Sequence, residues 1–228
     1  MPWLRDTCDA LLRLGRRGKE LVGWPMSLLH APGRESTVDP LACAVFLTLA
    51  FVLAGAGQTL WLRSAISRRV AFPLDCRLTY RGKRLFGANK TLRGLVVMLP
   101  AAAAAFSLLR LVALQDPSIG PRLWPLPSPL YALLGLWAGV GFMAGELPNS
   151  FLKRQFGIPP GAAPEARLPR VLCFLADRLD SITGMLAAVS IAVPTPWLTW
   201  LYLMLFGPIV HWSFSVILYW CGVKGRPA

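Results

Sequence analysis

One polar stretch between two apolar segments decides how this chain folds: it begins Gly145-Glu146-Leu147-Pro148-Asn149-Ser150-Phe151-Leu152-Lys153-Arg154 and ends Asp177-Arg178-Leu179-Asp180-Ser181. The chain has 11 acidic residues, and four of them lie in this stretch: Glu146, Glu165, Asp177 and Asp180. Charged side chains at a membrane boundary are costly to keep and usually serve a function. The stretch therefore predicts a functional site, and the apolar segments around it predict membrane helices.

The composition points to the same class of protein. Hydrophobic residues make up 55% of the 228 residues, whereas soluble domains contain roughly 45–50%. The formal net charge is +13, and in a membrane protein such an excess indicates cytoplasmic loops and anionic partners such as lipid headgroups or phosphates. Nucleic acid is the other usual partner of a basic chain, but neither a basic helix nor interleaved aromatic and basic residues support it. We predict no nucleic-acid partner.

Five apolar segments predict an all-α integral membrane protein with about five transmembrane helices and two polar loops that form the site. The first segment, Leu41–Leu62, has no charged residue and exceeds the roughly 20 residues that cross a bilayer core. The others are predicted at residues 94–114, 130–147, 180–193 (with a start as early as 171) and 197–223. We thus predict a transmembrane domain over 41–223, a leader over 1–40 and a tail over 224–228. The leader fits either an interfacial helix or a poorly ordered extension.

The distribution of basic residues predicts the orientation. Residues 63–93 contain nine Lys or Arg and one acidic residue, Asp75, and residues 148–179 contain five Lys or Arg. By the positive-inside rule these two loops and the C-terminus face the cytoplasm. The basic leader would then face outward, which disagrees with the rule. We predict a bacterial inner membrane with the site on its cytoplasmic face.

The first polar loop ends in a candidate phosphate site, Leu85–Gly94. Its polar side chains are Asn89, Lys90, Thr91 and Arg93. They precede a predicted helix, whose unpaired N–H groups favour anions, and Gly87 permits close approach of the backbone. The GxxxxGK[ST] pattern of a Walker loop is absent. A basic anchor at the membrane surface explains the same residues without a ligand.

The second polar loop supplies candidate metal ligands. Glu146, Asp177 and Asp180 offer oxygen atoms, which hard cations such as Mg²⁺ prefer. Mg²⁺ usually takes one or two protein carboxylates and completes its shell with water and phosphate oxygens. Salt bridges between Asp and Arg at the start of a helix explain the same residues without a metal.

Two motifs together resemble a known family. Ser150-x-x-Lys153-Arg154 followed by Asp177-Arg178-x-Asp180 resembles the signature of the CDP-diglyceride (phosphatidate) cytidylyltransferase superfamily. The element Phe86-Gly87-x-Asn89-Lys90-Thr91-x-Arg93-Gly94 and the five-span layout look closest to one branch, the CDP-archaeol synthases and their bacterial relatives. The resemblance covers residues 41–223. The family usually has Gly-Asp where this chain has Gly145-Glu146.

The resemblance implies a CTP-dependent cytidylyltransferase that converts a lipid phosphate to a CDP-lipid and releases pyrophosphate. The lipid would be an isoprenoid-glycerol (archaetidic) phosphate or phosphatidate, and the cofactor Mg²⁺, with or without a second cation. Catalytic roles are implied for Lys90, Asp177 and Asp180, and metal binding for Glu146, Asp177 and Asp180. Binding of CTP or lipid phosphates is implied for Asn89, Lys90, Thr91, Arg93, Lys153, Arg154 and Arg178. A non-catalytic relative and a membrane lipid-binding or transport protein remain alternatives.

Overall fold

The computed structural model describes residues 38–162, 164 and 166–222. In chain order the helices are α1 (Pro40–Arg63), α2 (Ala65–Arg69), α3 (Leu92–Gln115), α4 (Ser128–Gln155), α5 (Arg167–Ala192) and α6 (Trp197–Trp220). Between α2 and α3, strands β1 (Thr79–Tyr80) and β2 (Lys83–Arg84) pair antiparallel as a small hairpin, and a 3₁₀ turn (Gly120–Arg122) precedes α4. The predicted tail and nearly all of the predicted leader lie outside the described residues.

The start of α1 shows how local sequence sets a helix boundary. Asp39 precedes the helix, and its Oδ1 accepts the backbone N–H groups of Leu41 and Ala42, each at 2.9 Å. Pro40 occupies the first helical position, where its missing N–H costs no hydrogen bond. An Asp cap followed by Pro therefore begins the helix one residue before the predicted span.

The long helices alternate in direction. Trp61 near the end of α1 donates its indole N–H to the carbonyl of Arg93 at the start of α3, at 3.1 Å. Trp137 in the first half of α4 donates to the carbonyl of Ala188 near the end of α5, at 2.8 Å. The hydroxyl of Thr199 at the start of α6 donates to the carbonyl of Pro40 at the start of α1, at 3.1 Å. These pairings bring the polar connection 64–91 to the same end of the bundle as the end of α4 and the start of α5, called the polar end below.

The membrane prediction is confirmed at the level of fold. Among the described residues, α1, α3, α4 and α6 are the four helices long and apolar enough to cross a membrane. Helix α5 is 26 residues long but carries charged residues in its first half, so its composition does not mark it as a span. The alternating directions are compatible with five crossings, and the count of five stays a prediction.

The second polar loop is shorter than the sequence indicated. Helix α4 continues through Pro148 to Gln155, and α5 begins at Arg167 rather than near Asp180. Hydropathy marks where a helix leaves the apolar layer, and a helix can extend beyond that point. Lys153 and Arg154 lie in the last turn of α4, where cations favour helix continuation. Most of the predicted site residues in this region therefore lie on helices.

Close packing of α4 on α5 positions those residues. A β-carbon at Gly145 would overlap the carbonyl oxygen of Asp180, and one at Gly184 would overlap the carbonyl oxygen of Gly141. Small residues at such a crossing let two helix backbones approach each other. The contact brings the last turns of α4 beside the charged half of α5.

The aromatic core lies toward the opposite end of the bundle. Phe46 packs edge-to-face against Tyr131 and Trp124, with ring centroids at 5.6 and 6.1 Å. Trp124 and Tyr131 are fully buried, and their polar atoms are paired. The Trp124 indole donates to the carbonyl of Pro194 at 2.9 Å, and the Tyr131 hydroxyl donates to the carbonyl of Trp124 at 2.7 Å. Packing and paired backbone groups thus stabilise this end.

Candidate active site

The predicted phosphate segment is held by backbone pairing at the polar end. The N–H of Leu74 donates to the carbonyl of Lys90 at 2.8 Å, and the N–H of Leu92 donates to the carbonyl of Phe72 at 2.7 Å. Pro73 and Thr91 form an antiparallel bridge between these two bonds. The segment therefore enters α3 with a defined path.

Lys90 joins this segment to α4. Its ammonium forms an ion pair with Glu146 Oε2, and the two side chains are 22% and 20% exposed. The ion pair links the first polar loop to the second, as the predicted bipartite site requires. Asn89 is exposed, and Thr91 and Arg93 are half-buried.

Hydrogen bonds link the carboxylate of Glu146 to that of Asp180. The hydroxyl of Ser181 donates to Glu146 Oε1 at 2.9 Å and lies 3.2 Å from Asp180 Oδ1. The backbone N–H of Ser181 also donates to Asp180 Oδ1, at 2.6 Å. Ser181 is fully buried, so it joins the two carboxylates inside the interface between α4 and α5.

Asn149 extends the chain of contacts to Asp177. Its side-chain NH₂ group donates to Asp180 Oδ2 at 2.9 Å and to Asp177 Oδ1 at 2.7 Å. The ammonium of Lys153 forms an ion pair with Asp177 Oδ1. Seven side chains thus form one connected group, called the carboxylate network: Lys90, Glu146, Ser181, Asp180, Asn149, Asp177 and Lys153.

A cavity opens at the Lys90 end of the carboxylate network. Its volume is about 140 Å³, and it is open to solvent. Its polar lining residues are Gln58, Asn89, Lys90, Thr91, Arg93 and Glu146. All four polar residues predicted in the first loop line this one cavity, beside a carboxylate of the second loop.

Arg154 and Arg178 are engaged with the protein itself. The guanidinium of Arg154 donates to the carbonyl of Phe86 at 3.3 Å and to that of Ile158. Arg178 is 6% exposed, stacks on the Phe174 ring with its guanidinium carbon 3.3 Å from the centroid, and donates to the carbonyl of Phe174 at 2.9 Å. Neither residue lines the cavity, so the structure does not bring these two predicted phosphate ligands together with Lys90.

Comparisons with known proteins decide the family. The model of the CarS-like family, described as CDP-archaeol synthase, matches residues 43–227.

The chain belongs to the CDP-archaeol synthase family. It is 30% identical to the CDP-archaeol synthase of Methanosarcina mazei, over 68% of this chain and 89% of that protein. It is 32% identical to that of Halorubrum lacusprofundi, over 68% and 83%. It is 30% identical to that of Aeropyrum pernix, over 83% and 94%.

A solved structure supports the same fold. The chain superposes on the structure described as "Structural insight into an intramembrane enzyme for archaeal membrane lipids biosynthesis" with a TM-score of 0.50 and 22% identity. The superposition covers 79% of this chain and 93% of that one. The family match and the relatives confirm the resemblance to the CDP-archaeol synthases inferred from the motifs.

The three carboxylates predicted to bind a metal are not gathered as one ligand set. Within the described residues, no group of three His, Cys, Asp or Glu side chains is placed to hold a metal ion. Glu146 faces Lys90, whereas Asp177 and Asp180 lie one helical turn apart and share the amide of Asn149. Two carboxylates suffice for Mg²⁺ when phosphates and water supply the other ligands, so the Asp177–Asp180 pair by itself fits the predicted Mg²⁺.

Three residues of the site were not among the predicted site residues. Asn149 and Ser181 lie in the polar stretch quoted first, but their role as links between carboxylates depends on the crossing of α4 and α5. Asp75 is 1% exposed, and it was visible in the sequence as the single acidic residue among nine basic ones. Burial by itself would raise the pKa of the Asp75 carboxyl, but hydrogen bonds from Arg84 and three backbone N–H groups outweigh it, so the pKa lies below its usual range.

Proposed function

We propose that the protein is a CTP-dependent cytidylyltransferase that converts a membrane lipid phosphate to a CDP-lipid, with its active site at the polar end of the bundle. Membership of the CDP-archaeol synthase family supports the activity. The main observation that supports this location of the active site is the Lys90–Glu146 ion pair, because it joins the basic cavity to the carboxylate network. A lipid-binding or transport protein would have no need for this carboxylate network beside a basic cavity.

The reaction needs no nucleophilic side chain. An oxygen of the lipid phosphate attacks the α-phosphorus of CTP and forms a new P–O bond, while the bond between the α-phosphorus and the bridging oxygen breaks and pyrophosphate leaves. Negative charge grows on the leaving group and on the oxygens of the transferred phosphoryl group. Catalysis therefore depends on positioning and on cations that stabilise this charge.

Lys90 and Arg93 would bind phosphates of CTP in the cavity, with Asn89 and Thr91 as hydrogen-bonding partners. All four line the same space at the start of α3, where the helix N-terminus also favours an anion. Lys153 lies at the other end of the carboxylate network and would bind a second phosphate group. The two lysines thus suit a substrate pair that carries phosphates on both partners.

The two lysine ion pairs would open when substrate binds. Each pair is partly exposed, and ion pairs of this kind contribute about 1 kcal/mol or less to stability. A substrate phosphate offers each ammonium a more highly charged partner than a single carboxylate. Exchange of Lys153 from Asp177 to phosphate would leave Asp177 and Asp180 available for Mg²⁺.

Bound Mg²⁺ would neutralise charge on the phosphates of CTP. Asp177 and Asp180 are the residues that would hold it, and Asn149 orients both carboxylates. Glu146 would act as the counter-ion of Lys90, which modifies the prediction that it binds the metal. Arg154 and Arg178 would support the site from within the protein and would not touch phosphate directly.

The polar end would face the cytoplasm, where CTP is available. The basic connection 64–91 and the Lys and Arg residues at the neighbouring ends of α4 and α5 lie together at this end, and the positive-inside rule predicts that they lie on the cytoplasmic side. The bacterial inner membrane stays a prediction, since the relatives named above come from archaea.

A direct assay tests the proposal. Purified protein in detergent would be incubated with radiolabelled CTP, Mg²⁺ and either an isoprenoid-glycerol phosphate, phosphatidate or a neutral diacylglycerol. We expect a labelled CDP-lipid and pyrophosphate with at least one lipid phosphate and none with the neutral lipid. Lipid binding without CTP turnover would favour a lipid-binding protein, and binding of CTP without product would favour a non-catalytic relative.

A further inference from the structure

Asp75 lies outside the carboxylate network and holds the turn that precedes the phosphate segment. Its Oδ2 accepts the backbone N–H of Gly87 at 3.1 Å and that of Phe86 at 3.3 Å. Its Oδ1 accepts the N–H of Arg77 at 3.0 Å, and the guanidinium of Arg84 binds both oxygens, with Nε 3.1 Å from Oδ2. A buried carboxylate with this many donors is fully paired and held in one position.

The backbone just before Asp75 contacts the same segment, and the backbone just after it forms a turn. The N–H of Leu74, the preceding residue, donates to the carbonyl of Lys90. The carbonyl of Asp75 accepts the N–H of Leu78 at 2.6 Å, at the base of the hairpin. Cys76 and Arg77 have positive φ values of 45° and 64°, which non-glycine residues adopt only where neighbouring contacts enforce it. The Asp75 side chain is thus one of the restraints that hold the local path of the chain.

Arg154 holds the same turn from the opposite side. While Asp75 accepts the N–H of Phe86, Arg154 donates to the carbonyl of Phe86. Gly87 has a φ of 94°, and a β-carbon there would lie 2.9 Å from Nε of Arg154. The turn is therefore clamped between a buried anion in the first loop and a cation at the end of α4. Three residues later, Lys90 meets Glu146 on the same helix.

We propose that Asp75 is a positioning residue for the reaction: through the Phe86–Gly87 turn it sets the place of the phosphate segment, Asn89–Arg93, against α4. This inference rests on the function and the site proposed above. Asp75 itself would touch neither CTP nor lipid. Its loss would let the segment shift while the carboxylate network on α4 and α5 stays intact, so binding of CTP would weaken and binding of the lipid phosphate would not.

Steady-state kinetics separate this role from a general structural one. In Asp75→Asn we expect KM for CTP to rise about tenfold, as loss of charge-assisted hydrogen bonds implies, with KM for the lipid phosphate within twofold of wild type. Gly87→Ala, which leaves Asp75 in place but crowds Arg154, should change KM for CTP in the same direction.

The matched controls are Asp116→Asn and Gly82→Ala. Asp116 is an exposed carboxylate in the connection between α3 and α4. Gly82 has a similar φ of 75° but open space around it. Both should behave like wild type.

Hydrogen exchange supplies a readout that does not depend on activity. Amides of residues 85–92 should lose protection in Asp75→Asn, while amides of α4 and α5 keep theirs. A folded Asp75→Asn protein with wild-type KM for CTP would overturn the proposal, as would a fall in kcat with both KM values unchanged. If Asp75→Asn does not fold, Gly87→Ala decides, and an unchanged KM for CTP in that variant rejects the clamp. Wild-type protein without CTP turnover would contradict the proposed function instead, and the exchange experiment would still test the role of Asp75.

Discussion

Asp75 and the carboxylate network place acidic side chains beside basic ones in two different ways. Asp75 is 1% exposed and is satisfied by one arginine and three backbone N–H groups. Asp177, by contrast, has a side chain that is 47% exposed and pairs with a lysine and an amide. Backbone donors cannot leave without unfolding the loop, whereas a lysine ammonium on a flexible stem can change partner. Asp75 is therefore suited to hold the loop in one conformation, whereas the carboxylates of the network can exchange partners during a reaction.

The largest effect on activity is expected for a carboxylate of the carboxylate network. Asp180→Asn should lower the rate of CDP-lipid formation by at least about 100-fold, because even residues that only support a metal ligand often cost 10- to 100-fold when lost. The measurement is turnover of radiolabelled CTP at saturating Mg²⁺, with Asp116→Asn as the control for loss of a carboxylate elsewhere. Turnover near the wild-type rate in Asp180→Asn would remove Asp180 from the metal site.

The next effect concerns Lys90. Lys90→Ala should raise KM for CTP roughly 10- to 150-fold, the range expected for loss of a hydrogen bond between charged groups. Lys83→Ala is the matched control, because Lys83 belongs to the same basic loop but donates to the carbonyl of Gln155 outside the cavity. Equal kinetics for the two variants would mean that the basic loop acts by its total charge, without a specific contact.

Acid stability should distinguish Asp75 from other carboxylates. Its pKa is lowered in the folded protein, so its contribution to stability is present above the ordinary Asp pKa of about 3.9 and is lost as the pH falls through the lower folded value. At pH 7 we expect Asp75→Asn to be less stable than wild type by about 1–3 kcal/mol. The gap should begin to close below about pH 4. Thermal unfolding of both proteins in detergent between pH 7 and pH 3 measures this difference in stability. A difference that stays constant across this range would contradict a lowered pKa for Asp75.

The smallest effect is expected for Arg154→Lys. A lysine keeps the charge but cannot reach both the Phe86 and Ile158 carbonyls, so KM for CTP should rise roughly 2- to 10-fold, as for loss of one ordinary hydrogen bond. The melting temperature without CTP should also fall. An unchanged melting temperature with a much larger KM effect would instead indicate that Arg154 contacts phosphate directly.

Residue types and their order predicted much of the site. The basic segment ending in Lys90-Thr91 and the later Asp177-Arg178-x-Asp180 motif indicated phosphate and metal chemistry, and the count of apolar segments placed both at one end of the bundle. The contacts of Arg154 and Arg178 were harder to predict, because a guanidinium can donate to phosphate oxygens or to carbonyl oxygens. Which of these it meets depends on residues far away in the sequence, such as Phe86 for Arg154.

The sequence by itself determined a helical membrane protein of the CDP-archaeol synthase family, since hydrophobic length, charge bias and motif order are local properties of the chain. The tertiary structure alone decided which charges meet. Close approach of α4 and α5 at Gly145 and Gly184 lets Asn149 and Ser181 join carboxylates from two helices. The tertiary structure also showed that Asp75, an isolated acidic residue in a basic loop, is buried and accepts backbone N–H groups, because the hairpin folds the chain back onto the Asp75 side chain.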